Sequence, residues 1–532
     1  MHNSIYEAFR AAAAAWPARP FLATIAETSI AYGIDQGELT YQDAAAMVDA
    51  VARSYRDHGY GRGHRVALLL ENRPVFFLHW FALNACGCSV VPINPDLRAA
   101  ELNYLLAHSE AVLAVAIGSR QDDLRAAAPG LAVIGPDHIP PQAPTPALPP
   151  VNDPGCEAAL LYTSGTTGLP KGCVVSQTWF LNCGTWYASL GGRCTITPGA
   201  ERMLTPLPFF HMNAMACSTM GMVMTGGCLI PLDRFHPGTW WHSVAEARAT
   251  IIHWLGVMPA MLMKLAPSPL ERSHGIKYAF CPGADRRLHA DAEARFGIPL
   301  IDAWAMSETG AGAVITAQRE PRRIGQSCFG RVEPFMQARI IRDDGAEAAP
   351  DEPGELLVRH AGPDPRYGFF TEYLKDHAAT EAAWAGGWFH TGDIVSRNLG
   401  GEFIFIDRKK NVIRRSGETI AAVEVEAALL QHPAIRAVAV AAVPDALRGD
   451  EVLACVVLHT PAGDPAAAAS AIVAWCLQRL AYYKAPGYIA FLDALPLTAT
   501  SKVQRGALKD LAAVLQSAPD TIDTRPMKKR SA

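Results

Sequence analysis

The chain has 532 residues, of which 50% are hydrophobic and 18% charged, and its formal net charge at pH 7 is −4. This composition excludes a mainly disordered chain, and the slightly acidic balance lacks the basic signature of a nucleic-acid binder. The length predicts three or four structural units, large enough to bury their cores without disulfides or metals. The twelve cysteines have no spacing typical of a metal site, which predicts reduced thiols in a cytoplasmic protein.

We find no pattern in the sequence that predicts export or membrane insertion. The first residues lack a basic region followed by an apolar run, so we expect no signal peptide. Residues 212–232 carry no charge, but this run contains three glycines, a proline and several hydroxyl side chains. A membrane span needs about 20 predominantly apolar residues, so we interpret the run as buried core.

The first 135 residues alternate between helix-like and strand-like patterns. Apolar residues recur at helical spacing in some segments, and short, continuous apolar runs typical of buried strands lie between them. Such alternation predicts α/β architecture. Helices are predicted at 5–16 and 75–86, and strands at 38–41, 65–70 and 89–93.

Two changes in composition divide the rest of the chain. Residues 136–154 hold eight prolines, which predicts a semi-rigid connector between subdomains. The second change, near residue 407, precedes a compact unit of about 105 residues, at 411–515. Its predicted helices are 423–430 and 467–480, and its predicted strands are 437–443 and 452–458. The polar tail, 516–532, is predicted to be disordered.

A loop sequence suited to phosphate lies at residues 162–172, Tyr-Thr-Ser-Gly-Thr-Thr-Gly-Leu-Pro-Lys-Gly, between two predicted strands. Hydroxyl groups donate hydrogen bonds to phosphate oxygens, glycines let backbone N–H groups approach, and the lysine adds positive charge. The Gly-Lys-Ser/Thr ending of a Walker A loop is missing, and an ordinary hairpin turn is the alternative. The candidate nucleotide-binding residues are Thr163, Ser164, Gly165, Thr166, Thr167, Gly168 and Lys171.

Further strings carry side chains suited to nucleotide, metal or acyl chemistry. The carboxylate of Glu308 is a hard oxygen ligand of the kind Mg²⁺ prefers, and the flat indole of Trp304 suits a purine face. The two acceptor oxygens of Asp393 match a pair of neighbouring hydroxyls. The strings are residues 207–213, 281–285, 303–309, 388–393, 411–420 and 497–505.

Together with the phosphate loop, these strings closely resemble the adenylate-forming superfamily, over about residues 5–515. That group comprises acyl-CoA synthetases, the adenylation domains of peptide synthetases, and beetle luciferases. The resemblance implies a large, multi-subdomain N-terminal AMP-binding domain at 1–407, a hinge at 408–410 and a small, mobile α+β lid domain at 411–515. It also implies ATP, Mg²⁺ and coenzyme A as cofactors and co-substrates.

The resemblance assigns a role to each motif. Trp304 stacks on adenine, Asp302 accepts from the adenine amine, Asp393 and Arg408 bind ribose, and Glu308 holds Mg²⁺. The implied nucleotide site beyond the phosphate loop consists of Gly283, Ala284, Asp302, Trp304, Ser307, Asp393 and Arg408. Two departures occur here, since Trp304 replaces a tyrosine and Ala305 replaces a glycine on the acyl path.

The remaining implied roles concern the acid substrate and the thiol of CoA. Lys502 is the implied catalytic lysine, although Ser501 replaces the usual preceding glycine. Lys410 stands at the hinge, and Gly417 lines the CoA channel. His211 lies between acyl pocket and thiol channel, and the implied acyl pocket comprises His211, Met212, Ala305, Met306 and Gly312.

We therefore expect an ATP-dependent acid–CoA ligase that forms an acyl-adenylate, releases pyrophosphate and transfers the acyl group to CoA. Within acyl-CoA ligases the chain is similar to the crotonobetaine/carnitine–CoA ligase-like branch, so a short acid or a carnitine-type acid is the expected substrate. A quaternary ammonium needs an aromatic cage, which Trp186, Phe210 and Trp254 would form unless they belong to the core. A carrier-protein ligase and a non-catalytic acyl- or nucleotide-binding sensor are the alternatives. A homodimer is the default assembly, with no membrane or nucleic-acid partner.

Overall fold

The computed structural model describes residues 2–163, 169–342, 344–408, 413–416, 418–420, 422–496, 503 and 505–528. One hydrophobic core extends from Ile5 to Phe403, and two further clusters of buried side chains lie between Ile413 and Ala512. The protein therefore has a large N-terminal domain and a small C-terminal domain, both mixing helices with sheet. The predicted fold class is confirmed.

The first sheet of the large domain contains the two strands that flank the predicted phosphate loop. Its strands are parallel, except that Lys171–Ser176 runs antiparallel to both of its neighbours. Apolar runs such as Arg65–Leu69 are buried on both faces, as parallel strands usually are. In spatial order the strands are Glu372–Tyr373, Lys171–Ser176, Glu157–Thr163, Ser89–Pro92, Arg65–Leu69, Ala111–Ala116 and Ala132–Ile134.

The second sheet is parallel apart from one edge strand, Gly37–Thr40. Because the strands are parallel, their carboxyl ends meet at one edge, where polar residues of neighbouring strands come together. Asp302 directly follows one of these strands at that edge. In spatial order the strands are Leu300–Ile301, Tyr278–Phe280, Ile251–His253, Arg202–Thr205, Cys228–Pro231, Pro20–Thr24 and Gly37–Thr40.

The third sheet is antiparallel and carries the Trp304 and Asp393 motifs. Burial alternates along Phe389–Arg397, so one face of this strand points into the domain. In spatial order the strands are Ala303–Trp304, Ile315–Thr316, Cys328–Arg331, Glu402–Arg408, Phe389–Arg397, Gly354–His360 and Met336–Ile341.

Helices cover the first two sheets. Ser4 and Thr40 cap the helices that follow them, and Pro74 begins a helix whose residues from Phe76 to Asn84 are all buried. The α-helices of the large domain are Ile5–Ala15, Ala26–Tyr32, Tyr41–Asp57, Pro74–Ala85, Ala99–Ser109, Gln121–Ala127, Gln177–Ala188, Thr219–Thr225, Trp240–Ala247, Val257–Met263, His289–Phe296 and His377–Ala383.

The small domain is a sheet packed against helices. Its strands are, in spatial order, Glu418–Ile420, Ile413–Arg415, Gly449–Leu458, Tyr488–Phe491 and Ile522–Asp523, and Ile435–Asp445 also pairs with Gly449–Leu458. Its helices are Ala422–Leu430, Pro465–Leu477 and Arg505–Leu515. Apolar side chains on both faces of the central strand Gly449–Leu458 form the two separate core clusters.

The proline-rich segment joins two strands of one sheet. Strand Ala132–Ile134 precedes it and strand Glu157–Thr163 follows it, and both belong to the first sheet. The segment follows the domain surface, where Ala143 N donates to His58 O (2.8 Å) and Leu148 N donates to Arg62 O (2.8 Å). The prediction of a connector between subdomains is therefore wrong, although the absence of helix or strand in the segment is confirmed.

The tail does not match its predicted disorder. Residues 516–528 turn back over the small domain, and Ile522–Asp523 adds a strand next to Tyr488–Phe491. Lys528 is buried. The low hydrophobicity of the segment predicts disorder, but backbone pairing and ion pairs hold it in place, and Ile522 and Met527 also pack against the small-domain core.

The uncharged run at 212–232 is buried core, as predicted. It folds into a π-helical turn at Asn213–Ser218, the helix Thr219–Thr225 and the strand Cys228–Pro231, most of whose residues are buried. Among the residues that the structure describes, no helix is both long and apolar enough to cross a membrane.

Candidate active site

The ends of the predicted phosphate loop are fixed by the first sheet. Thr163 ends one strand, Lys171 begins the next, and the two residues are paired across the antiparallel ladder. Lys171 Nζ lies 3.2 Å from Asp376 Oδ2 and 4.7 Å from the centre of the Tyr373 ring. The predicted loop residues Ser164, Gly165, Thr166, Thr167 and Gly168 lie outside the described residues.

Glu308 lies beside these loop ends. Its side chain is buried, and Tyr373 donates its hydroxyl hydrogen to Glu308 Oε1 (2.9 Å). Burial and the nearby Glu308 carboxylate raise the pKa of the Tyr373 hydroxyl, which keeps it a hydrogen-bond donor. Tyr373 thus connects Glu308 with Lys171, and the motifs gave no indication of this residue.

The carboxylate of Glu308 suits Mg²⁺ chemically. No cluster of three or more His, Cys, Asp or Glu side chains occurs within the described ranges. Mg²⁺ usually binds through one or two carboxylates, with phosphate oxygens and water completing its octahedron. A single buried carboxylate beside a phosphate loop therefore fits an Mg²⁺ ion that enters together with a nucleotide.

Asp302 holds the loop at residue 283. Asp302 Oδ1 accepts hydrogen bonds from the backbone N–H groups of Gly283 (2.9 Å) and Ala303 (2.9 Å). Burial raises the pKa of Asp302 to about 6. Gly283 itself has φ +75° and is exposed, whereas the next residue, Ala284, is buried. The structure thus brings together three of the predicted nucleotide-binding residues.

Trp304 and Asp393 are in direct contact. Trp304 Nε1 donates to Asp393 Oδ2 (2.9 Å), and both side chains are buried, with 6% and 1% exposed. Asp393 also pairs with Arg408 across neighbouring strands of the third sheet, although the side chain of Arg408 lies outside the described residues. An indole N–H fixes this carboxylate, which gives a physical reason for tryptophan at position 304.

The residues around Trp304 differ in exposure. Ala305 is exposed, whereas Met306 and Ser307 are half-buried, and Ser307 O accepts from Trp179 Nε1 (3.1 Å). Gly312 is buried against another loop, because an added Cβ would lie 2.6 Å from Tyr367 O. This close backbone packing is a structural reason for glycine at position 312 that does not depend on an acyl group.

His211 lies at a cavity that both domains line. Its Nε2 is 3.4 Å from Glu418 Oε2 of the small domain. The cavity has a volume of about 280 Å³, and its walls include Phe210, His211, Arg415, Ser416 and Glu418. Met212, the next predicted pocket residue, is buried. The structure therefore places His211 where the two domains meet.

The small domain is held against the large domain by buried polar contacts. Lys484 Nζ lies 2.7 Å from Glu424 Oε1 of its own domain and 2.7 Å from Glu101 Oε1 of the large domain. Asn94 Nδ2 donates to Tyr483 OH (2.8 Å). The predicted hinge residue Lys410, the channel residue Gly417 and the catalytic Lys502 lie outside the described residues.

The three aromatic residues considered for a cation cage lie in different surroundings. Trp254 is fully buried, with its ring centre 5.6 Å from that of Trp240 and 6.3 Å from that of Trp241. Trp186 packs edge-on against Phe280 (6.1 Å), and Phe210 lines the interdomain cavity. Trp254 is thus a core residue.

Comparisons with known proteins agree with this geometry. A family model described as AMP-binding enzyme matches residues 9–367, and its C-terminal domain model matches residues 424–502. The chain belongs to the AMP-binding enzyme family. It is an AMP-forming acyl-CoA synthetase, as its motifs predicted, and enzymes of this class use ATP, Mg²⁺ and CoA.

Two curated relatives span nearly the whole chain. A sulfoacetate–CoA ligase of Cupriavidus necator is 33% identical, over 93% of this chain and 95% of the relative. A crotonobetaine/carnitine–CoA ligase of Escherichia coli is 28% identical, over 88% and 93%.

Among solved structures, the o-succinylbenzoate CoA synthetase of Bacillus subtilis matches in two forms. A double mutant bound with its product analogue has a TM-score of 0.81, with 26% identity over 94% of this chain and 98% of that one. The AMP complex of the same enzyme has a TM-score of 0.65, with 25% identity over the same shares. The arrangement in the present structure is thus more similar to the product-analogue form.

Proposed function

We propose that this acyl-CoA ligase activates a short, polar carboxylic acid and joins it to CoA, with both half-reactions at one site. The observation that carries the proposal is the meeting of His211 and Glu418 at a cavity lined by both domains. The nucleotide residues would serve the activation of the acid, and the cavity would let the thiol of CoA approach.

In the first half-reaction, the carboxylate attacks the α-phosphate of ATP, because an acyl-adenylate has a far better leaving group than a free carboxylate. Trp304 packs against adenine, Asp302 accepts from its amine, and Asp393 with Arg408 holds the ribose. Glu308 would hold Mg²⁺, which would supply positive charge against the growing charge of the pyrophosphate. Since like charges must approach, positioning supplies much of the rate, and Lys502 bridges the two reacting anions.

In the second half-reaction, the thiol attacks the acyl carbon and AMP leaves. The higher TM-score to the product-analogue form supports an orientation of the small domain that suits this step. The thiol approaches past Gly417 through the cavity beside His211. Between the half-reactions the small domain rotates about Lys410, so that Lys502 leaves the active site and Gly417 enters it.

Two observations support a short acid without a cationic end. The burial of Trp254 among other tryptophans removes one wall of a possible ammonium cage. The sulfoacetate–CoA ligase, named for a short, polar acid, is more similar to this chain than the carnitine-type ligase. The homodimer and the cytoplasmic location stay predictions.

AMP formation from Mg-ATP, measured with and without CoA, tests the substrate. The panel contains sulfoacetate, short fatty acids, dicarboxylates, crotonobetaine, carnitine and benzoates. We expect CoA-dependent AMP and a matching thioester with a short, polar acid. A thioester from crotonobetaine or carnitine alone would contradict the substrate assignment. Adenylate formation that CoA never accelerates would indicate a carrier-protein acceptor, and ATP binding without any AMP would favour a sensor.

The role of Lys502 is tested by separating the half-reactions. Lys502→Ala is expected to reduce adenylation by about 100-fold or more, yet to spare thioester formation from a supplied acyl-adenylate. Exposed Lys509, on the helix that follows, provides a matched control, and Lys509→Ala should alter neither step. An equal loss in both half-reactions of the Lys502 variant would overturn the assignment.

A further inference from the structure

The end of the chain folds back onto the small domain, beyond the residues 424–502 that the family model matches. Ile522 pairs with Ile489, and Asp523 with Tyr488. Thr524 continues the attachment, with its N–H donating to Gly487 O (3.0 Å) and its hydroxyl to Pro486 O (2.8 Å). These bonds direct the next residues, including Lys528, into the interior of the domain.

Lys528 ends in a fully buried ionic cluster. Its Nζ lies 2.5 Å from Glu451 Oε1, and Arg415 Nε donates to Glu451 Oε2 (2.8 Å). The exposed fractions of these side chains are 1% for Lys528, 0% for Glu451 and 4% for Arg415. Each carboxylate oxygen of Glu451 therefore holds one cation, and both cations fix the rotamer of Glu451.

Burying these charged side chains costs free energy, which argues against an incidental contact. Burial, with Arg415 as the second cause, lowers the pKa of Lys528 to about 7. Room for the Glu451 carboxylate exists because Gly487 has no side chain, since a Cβ there would lie 2.4 Å from the Glu451 side chain. Charged side chains buried in this way are stable only when the geometry of their ion pairs is good.

The same cluster supports the small-domain wall of the interdomain cavity. Arg415 is the last residue of strand Ile413–Arg415, and Ser416 follows with φ +50°. Both residues line the cavity together with Glu418, the residue that contacts His211. A continuous series of contacts therefore joins Lys528, through Glu451 and Arg415, to the wall that faces His211.

We propose that Lys528 is a positioning residue for acyl transfer, which acts through Glu451 and Arg415 to fix the loop that faces the thiol. This inference rests on the proposed function, because it assigns the second half-reaction to that cavity. Lys528 and the residues through which it acts, Glu451 and Arg415, all belong to the small domain, whereas the proposed nucleotide residues belong to the large domain. The tail thus contributes to the CoA step and not to adenylation.

The test compares Lys528→Met with wild type in the two half-reactions. Adenylation is followed by pyrophosphate exchange, and transfer is followed by thioester formation from the isolated acyl-adenylate. We expect the apparent KM for CoA to rise roughly tenfold, or the transfer rate to fall by that factor, with pyrophosphate exchange within about twofold of wild type. Lys528→Arg, which keeps the cation, should recover most of the transfer rate.

Arg525→Gln is the matched control. Arg525 lies on the same tail, but its ion pairs with Asp523 and Asp445 are more exposed, and it does not contact Glu451. This variant should leave both half-reactions unchanged. If Lys528→Met does not fold, Lys528→Gln is the second variant, because its amide can still donate a hydrogen bond to Glu451 without the charge, and it should show the same selective loss of transfer.

The outcomes separate the two proposals. A parallel loss of exchange and transfer in the Lys528 variant, or no loss in either, would overturn the positioning role. A loss of the same size in Arg525→Gln would do so too, because it would indicate a general effect of tail attachment. If wild type exchanges pyrophosphate but never transfers to CoA, the proposed function fails first, and the inference fails with it.

Discussion

The proposed nucleotide site and the interdomain cavity hold their side chains in opposite ways. At the nucleotide site, Trp304 and Asp393 come from one sheet of one domain, are buried, and bond to each other over 2.9 Å. At the cavity, His211 remains 41% exposed, and its contact with Glu418 of the other domain spans 3.4 Å. The first site is built into the fold, whereas the second exists while the domains are in contact.

This difference matches two different chemical tasks. Charge that develops on phosphates is best stabilised by groups already in place, since no reorganisation is then needed during the reaction. A thiol channel, in contrast, is needed in one half-reaction and must give way in the other. A rigid site and a separable site in one enzyme therefore respond differently to substitution.

The largest effect is expected at the domain contact. Lys484→Met leaves Glu101 and Glu424 as neighbouring buried carboxylates without their cation, and burial already raises the pKa of Glu424. We expect the free energy of unfolding to fall by about 3–5 kcal/mol, measured by chemical denaturation. Nucleotide affinity of the folded enzyme should stay close to wild type.

Lys264 supplies the control for that variant. Its Nζ also crosses the domain boundary, to Ala446 O (2.9 Å), but the side chain is exposed. Lys264→Met should change the free energy of unfolding by no more than about 0.5 kcal/mol. Equal effects of both variants would remove the distinction between buried and superficial domain contacts.

A smaller effect is expected at the nucleotide site, from Tyr373→Phe. This variant removes the hydroxyl that donates to Glu308 and keeps the ring that packs near Lys171. Loss of a hydrogen bond to a charged group should reduce adenylation about tenfold, chiefly through a higher KM for Mg-ATP, in pyrophosphate exchange. Transfer from supplied acyl-adenylate should be unchanged.

Tyr367→Phe, at a largely exposed ring, is the control, and a loss of adenylation there would refute the specific role of Tyr373.

The smallest effect concerns pH and Asp302. Because burial raises the pKa of Asp302 to about 6, the folded state retains a proton that the unfolded chain loses near pH 4. The contribution of Asp302 to folding stability therefore falls as pH rises from about 4 to 6, while its capacity to accept from adenine increases. We expect the KM for ATP to rise roughly threefold between pH 7 and 5.5.

Asp302→Asn should flatten both pH dependences, since the amide oxygen still accepts from Gly283 and Ala303 without titrating. Stability is measured by denaturation across pH 4–7, and KM by pyrophosphate exchange. If the variant keeps the pH dependence of wild type, another group titrates and Asp302 is not the adenine acceptor.

Much of the fold could be predicted from local patterns. The predicted helix at 75–86 is observed at Pro74–Ala85, and the predicted strand at 65–70 at Arg65–Leu69. Apolar periodicity fixes such elements because each is buried in a continuous core. The path of the proline-rich segment was not predictable, because composition reports local stiffness but not which strands a segment joins.

Part of the candidate nucleotide site could be proposed from the sequence for a similar reason. Asp302, Trp304 and Glu308 occur within seven residues of sequence, so one motif identifies three groups. Tyr373 and Lys528 could not be found in this way. Their hydrogen bonds are to residues at least 65 positions away, Glu308 and Glu451 respectively, and such a pairing leaves no local pattern.

The short strand Ile522–Asp523 also has a consequence for handling the protein. It covers the outer edge of Tyr488–Phe491, which would otherwise present unpaired N–H and C=O groups in a largely apolar strand. Open edges of this kind recruit strands from other molecules and promote aggregation. A chain shortened before residue 522 would expose that edge, so any shortened form of the protein should retain Ile522–Asp523.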